Sequence, residues 1–142
     1  MAERRRFALP AQDSARVEVS VLLDSVIVID HLNGRRAATA YLRAVQDARI
    51  SVITRAEVLA GIDGESVGPV RRLLDLYPAL PIDAETADLA AELQRQNRWK
   101  LPDAFQAALA QRHGLKLATR NTRDFPPARH SFVVVPYKLH EG

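Results

Sequence analysis

From Val19 onward the chain alternates between short apolar runs and longer stretches with helical spacing. Val19-Ser20-Val21-Leu22-Leu23 stops at Asp24, the pattern of a strand buried on both faces. Val26, Ile27, Ile29 and Asp30 predict a short amphipathic helix closed by Asn33-Gly34, and residues 36–47 carry Ala37, Tyr41, Leu42 and Val45 at helical intervals. Arg49 to Ile53 reads as a second strand. Thr54 then opens a helix bearing Val58, Leu59 and Ile62, with Gly61 and Gly64 at its end. Val67 to Tyr77 predicts another helix, with Val70, Leu73, Leu74 and Tyr77 on one face. Pro78 to Ile82 is a weak strand, because Pro81 has no N–H for a ladder. Ala84 to Asn97 is a long helix, and a further one starts at Pro102 and runs to His113, where Gly114 stops it. Leu115 to Thr119 and Phe132 to Val135 are the last two strands.

Strands separated by helices predict an α/β layer structure: a five-stranded, mostly parallel sheet flanked by helices. Residues 1–18 hold Arg4 to Arg6, Pro10 and Asp13 without any period. They are expected to form a flexible arm, which leaves 19–142 as one domain. At 142 residues a second core would be too small to stand alone.

Composition narrows the picture. No apolar run reaches the roughly 18 residues of a membrane span, and no apolar stretch after the basic start suits a signal peptide. There is no Cys, so disulfides and thiolate metal sites are excluded, which suits a cytoplasmic protein. The net charge of +3 comes mostly from Arg, whose rigid fork suits phosphate, although Arg4 to Arg6 alone account for that excess.

The acids carry the chemistry. Singly, each has an ordinary explanation. Asp24 would cap the helix after Ser25, and Thr54-Arg55-Ala56-Glu57 matches a capping box. Asp103 follows Pro102 at the positive end of a helix, while Asp124 sits in a turn, Asn121-Thr122-Arg123-Asp124. Together they say more. Asp24, Glu57, Asn121 and Asp124 all follow strands, at the carboxyl edge where open α/β sheets place their sites, and Asp103 opens the helix that feeds one of those strands. Carboxylates gathered there repel one another unless a cation is present. Oxygen donors without Cys or a His pair select Mg²⁺ or Mn²⁺ over Zn²⁺. His31, His113, His130 and His140 have no metal-ligand spacing and are assigned no chemistry.

Four segments in order then resemble the motifs of PIN domains: Val21 to Asp30, Ser51 to Gly61, Leu101 to Ala108, and Ala118 to Phe125. The resemblance spans about residues 20–137, and its spacing is that of VapC-type toxins, the ribonuclease half of toxin–antitoxin pairs. It implies that Asp24, Glu57, Asp103 and Asp124 hold one or two Mg²⁺ or Mn²⁺ ions. Water made more acidic by the metal would attack an RNA phosphodiester in line. Ser25 and Thr119 would orient the carboxylates, and Arg98, Arg120 and Arg123 would hold phosphates unless they are solvated or paired with acids.

Three departures stand out. Where many relatives carry Thr-Asn after the first Asp, this chain has Ser25-Val26. Asn121 stands where some relatives carry an acid, which leaves the fourth ligand open between Asp124, favoured for its charge, and Asn121, favoured for a water or substrate contact. Gln106 replaces a usual aliphatic residue and is expected to matter little. The resemblance also implies a homodimer and a small VapB-type antitoxin. An amphipathic helix of that partner would fill a groove formed by Val58, Leu59, Ile62, Val67, Val70 and Leu74, unless these are simply core. Two alternatives within the family are a PIN nuclease of RNA processing and an inactive binding module, the second disfavoured by the retained acids. A haloacid-type phosphatase also begins with Asp after a strand, but it needs an acid where Val26 stands.

Overall fold

The computed structural model describes residues 20–139, so the proposed arm and Val19 lie outside the described residues, as does His140. The first strand, β1, is Val21–Leu23, and all three residues are fully buried. Burying a side chain such as Leu22 contributes about 1.5–3 kcal/mol. It is followed by α1 (Ser25–Leu32), α2 (Arg36–Ala44), β2 (Ala48–Ser51), α3 (Val52–Ala60), a 3₁₀ turn (Gly64–Ser66) and α4 (Val67–Leu74). Then come β3 (Ala79–Leu80), α5 (Ala84–Asn97), α6 (Leu101–Arg112), β4 (Lys116–Ala118) and β5 (Val133–Val134).

All four strand pairings are parallel, in the order β3-β2-β1-β4-β5. Side chains alternate across a strand, and the two faces are packed separately. Leu22 and Leu117 join Ala90, Leu93, Ala107 and Phe125 in a core under α5 and α6. Val21, Leu23 and Ala118 face Ile27, Leu42, Val58 and Leu74 in a second core under α1 to α4. The result is helix, sheet, helix: three layers. No helix among the described residues is long and apolar enough to cross a membrane.

Element types agree with the sequence pattern throughout, and the boundaries differ where caps decide them. Thr54 does not open α3. Ser51 does: its side chain accepts the Thr54 backbone N–H at 2.9 Å, so β2 ends there and Val52 and Ile53 are helical. α2 stops at Ala44, where Val45 turns extended, and α4 stops at Leu74, short of Tyr77. α6 ends as expected at Gly114, whose φ of 65° favours glycine.

Candidate active site

The strand order reverses direction between β1 and β4, and the crevice outside the carboxyl ends of those two strands is where such sheets place ligands. Asp24 stands there. β1 runs directly into α1, so Asp24 is both the last step of the strand and the helix N-cap, 7% exposed. Its Oδ1 accepts the Ser25 backbone N–H at 2.9 Å and the Gln106 Nε2 at 3.3 Å, and its Oδ2 accepts the Thr119 hydroxyl at 2.6 Å. Thr119, fully buried just past β4, also accepts the Asn121 N–H at 3.0 Å. One hydroxyl thus joins the first acid to the loop after β4.

Glu57 lies on α3, beyond its first turn. Because Ser51 caps that helix, Glu57 is released from the capping role that its spacing from Thr54 suggests. Burial raises its pKa above the ordinary value, the Ser25 side chain opposes the rise, and the Asp24 charge adds to it. Asp103, in the first turn of α6, is pushed up to about 6, first by burial and then by Asp24, Asp124 and Glu57, with Lys100 opposing. The four predicted acids therefore share one electrostatic neighbourhood, and Asp103 sits at its centre.

The fourth position separates into two roles. Asn121 donates its amide to Asp124 Oδ2 at 3.0 Å and accepts the Asp124 N–H at 3.3 Å. It braces Asp124, whose carboxylate is exposed and acts on Asp103. Arg120 is not a free phosphate holder. It forms a two-pronged pair with the buried Asp30, Nε to Oδ2 at 2.7 Å and a second nitrogen to Oδ1 at 2.9 Å. Arg123 is exposed and has no ion pair among the described residues.

Sequence reading missed three contributors. Gln106, expected to matter little, is 1% exposed and bridges Asp24 to the Thr54 hydroxyl at 2.8 Å. Its Oε1 is left without a partner. Turning the amide over would aim that oxygen at the Asp24 carboxylate, so the acid dictates the orientation at a cost of about 1–3 kcal/mol for the orphaned carbonyl. Asp30 and Tyr137 complete the Arg120 brace, the Tyr137 hydroxyl donating to Asp30 Oδ2 at 2.7 Å. In each case the partners are far apart in sequence, and spacing along one element carries no sign of them.

Among the described residues no three acidic or imidazole groups are drawn together tightly enough to make a finished metal site. The acids are linked instead by charge, with Asp24, Asp124 and Glu57 each acting on Asp103. Their donor atoms are all oxygen, and the raised Asp103 and Glu57 mark a place where added positive charge is favourable, so the residues fit a hard divalent cation.

The PIN domain family matches residues 21–129, and the chain belongs to it. Within that family the chain is similar to Ribonuclease VapC10 of Mycobacterium tuberculosis, 33% identical over 114 residues that cover 75% of this chain and 86% of the relative. Of solved structures, a toxin–antitoxin complex from Klebsiella pneumoniae aligns with a TM-score of 0.79 at 37% identity, covering 84% of this chain and 100% of that one. FitAcB from Neisseria gonorrhoeae aligns at 0.69 and 26% identity, covering 82% and 97% respectively.

Proposed function

We propose that the chain is a VapC-like endoribonuclease toxin of the cytoplasm, dependent on Mg²⁺ or Mn²⁺, dimeric, and neutralised by a small antitoxin. The observation that carries the reading is the electrostatic meeting of Asp24, Glu57, Asp103 and Asp124 at the switch point of a PIN fold. Its likeness to Ribonuclease VapC10 and to a toxin–antitoxin complex supports the same assignment.

Asp24, Glu57, Asp103 and Asp124 would hold the cation. When bound, it supplies Lewis-acid neutralisation of phosphate charge and lowers the pKa of water. The remaining work belongs to the chain. Thr119 and Gln106 fix the Asp24 carboxylate from opposite oxygens, and Asn121 fixes that of Asp124, so the acids meet the substrate in set orientations. The Ser25 backbone N–H at the start of α1 holds the Asp24 carboxylate in place.

Purified protein stripped with EDTA is expected to leave single-stranded RNA intact and to cleave it once Mg²⁺ or Mn²⁺ is restored. Asp24→Asn and Asp103→Asn are expected to lose several orders of magnitude in rate while keeping the wild-type circular dichroism spectrum. Cleavage by Asp103→Asn at the wild-type rate would remove the assignment.

A further inference from the structure

A cavity of about 300 Å³ opens beside the acids, between the α5–α6 junction and the loop after β4. Its lining includes Arg98, Arg123 and Arg129, together with Trp99, His130 and Asp124. That volume is at the lower end of the range for small-ligand pockets. Asp124 both lines the cavity and acts on Asp103, so the cavity adjoins the acids.

Three features of the cavity point to one kind of occupant. The three guanidinium groups are exposed and engage no carboxylate among the described residues, although like charges gathered in one pocket repel. Arg98 is also the only non-glycine among the described residues with positive φ, at 58°. It occupies the left-handed position after α5 where glycine is most easily accommodated, so a long cationic side chain is kept there against the local backbone preference. The third feature is an aromatic shelf. Trp99 packs on Phe125 at 4.9 Å and on His130 at 5.1 Å, and His130 packs in turn on Phe132 at 5.6 Å. The shelf is tied to the acids, since the Trp99 indole N–H donates to the Asp124 carbonyl at 2.7 Å.

We propose that this cavity binds the nucleotide of a single-stranded RNA next to the scissile bond, its phosphate held by Arg98, Arg123 and Arg129 and its base laid against His130. Guanidinium forks match phosphate oxygens, and unpaired bases stack on flat side chains without regard to sequence. An acidic peptide satisfies the arginines equally well but has no use for the shelf. The inference rests on the ribonuclease reading and extends it to how substrate is gripped.

Trp99 is the only tryptophan in the chain, so its fluorescence reports on this cavity alone. A single-stranded RNA decamer, added to the full chain in EDTA, is expected to change Trp99 emission saturably. In Arg98→Gly/Arg129→Ala the affinity is expected to fall at least about tenfold, and the dependence of log K on log salt to flatten by up to about 0.7, the value for one phosphate contact on a single strand. Arg98→Gly relieves the left-handed backbone, so its melting temperature is expected to be no lower than wild type.

The proposal is overturned if RNA binds, by anisotropy, without any change at Trp99, or if the double variant keeps wild-type affinity and salt slope. It also falls if a polyglutamate peptide of equal charge binds as tightly as RNA with the same arginine dependence. Cleavage measured in parallel with Mg²⁺ separates the two readings. Wild-type cleavage that is indifferent to the arginines removes only the cavity, whereas arginine-dependent binding without cleavage removes only the nuclease.

Discussion

Asp103 is held in an environment that works against its charge. Its carboxyl, ordinarily near 3.8, is pushed up to about 6 by burial and then by the three neighbouring acids. In metal-free protein the folded state therefore holds this proton more tightly than the unfolded chain does. The associated stability is complete below about pH 4 and is lost as pH rises through 6. We predict that in EDTA at pH 8 Asp103→Asn melts higher than wild type, by something on the order of 1 kcal/mol once solvent screening of this half-buried group is allowed for. At pH 4 the two should coincide. Adding Mg²⁺ should reverse the order, because only the wild type retains the full set of ligands and gains stability with ion concentration. Thermal melts at both pH values, with and without Mg²⁺, provide the check. An Asp103→Asn variant less stable than wild type in EDTA at pH 8 would mean that the residue is structural.

Between elements, the decisive contact is the brace of Asp30, Arg120 and Tyr137, which ties α1 to the loop after β4 and to the chain beyond β5. Burial alone would raise the Asp30 pKa, but hydrogen bonds from Arg120 and Tyr137 outweigh it and hold the carboxyl below its ordinary value of 3.8. The stabilisation it gives is present above that value and lost as pH falls below it. Arg120→Ala leaves Asp30 buried with Tyr137 as its remaining side-chain partner, and is expected to cost about 2–3 kcal/mol at pH 7. The loss should shrink in acid, as urea unfolding at the two pH values would reveal. Wild-type stability at pH 7 would refute the brace. The same elements mark how far the sequence could be read. α5 was legible to the residue because Asp83 caps one end and fourteen residues of unbroken helical spacing follow. The α3 start was not, because Thr54-x-x-Glu57 imitates a capping box that Ser51 renders unnecessary. Gln106 reaches Asp24 across 82 positions and Arg120 reaches Asp30 across 90, and no local period encodes contacts of that span. Of the candidate acids, Asp24 and Asp103 stand at a strand end and a helix start, positions that the pattern does define, whereas Glu57 lies past the first turn of α3 and Asp124 in the loop after β4.

For the whole molecule, the order β3-β2-β1-β4-β5 sets the switch point between β1 and β4, where Asp24 stands, and a helical layer packs on each face of the sheet. The apolar residues that the sequence offered as a partner groove divide under the fold. Val58, Val70 and Leu74 are 2%, 7% and 0% exposed and belong to the chain's own core, with Leu59 and Ile62 packed partly buried against it. What remains outside is a different set: Ile29 and Leu32 on α1, Val52 at the start of α3, Leu76, and Leu101 at the start of α6. Three of these lie on the helices that carry or follow Asp24 and Glu57, so an amphipathic segment covering them would lie close to the acids. A ribonuclease toxin has to be restrained in the cell that makes it, and we predict that the product of a small open reading frame adjacent to this gene co-purifies with the chain and suppresses RNA cleavage. The core assignment supplies a control. Val58→Ala should lower the stability of the free chain, by roughly 1–3 kcal/mol, while Val52→Asp should leave that stability nearly unchanged and weaken the complex. Were no complex to form, or the complex to cleave RNA as fast as the free chain, the toxin reading would give way to a PIN nuclease of RNA processing. Were the complex to form equally well with Val52→Asp, the partner would be seated on another face of the molecule.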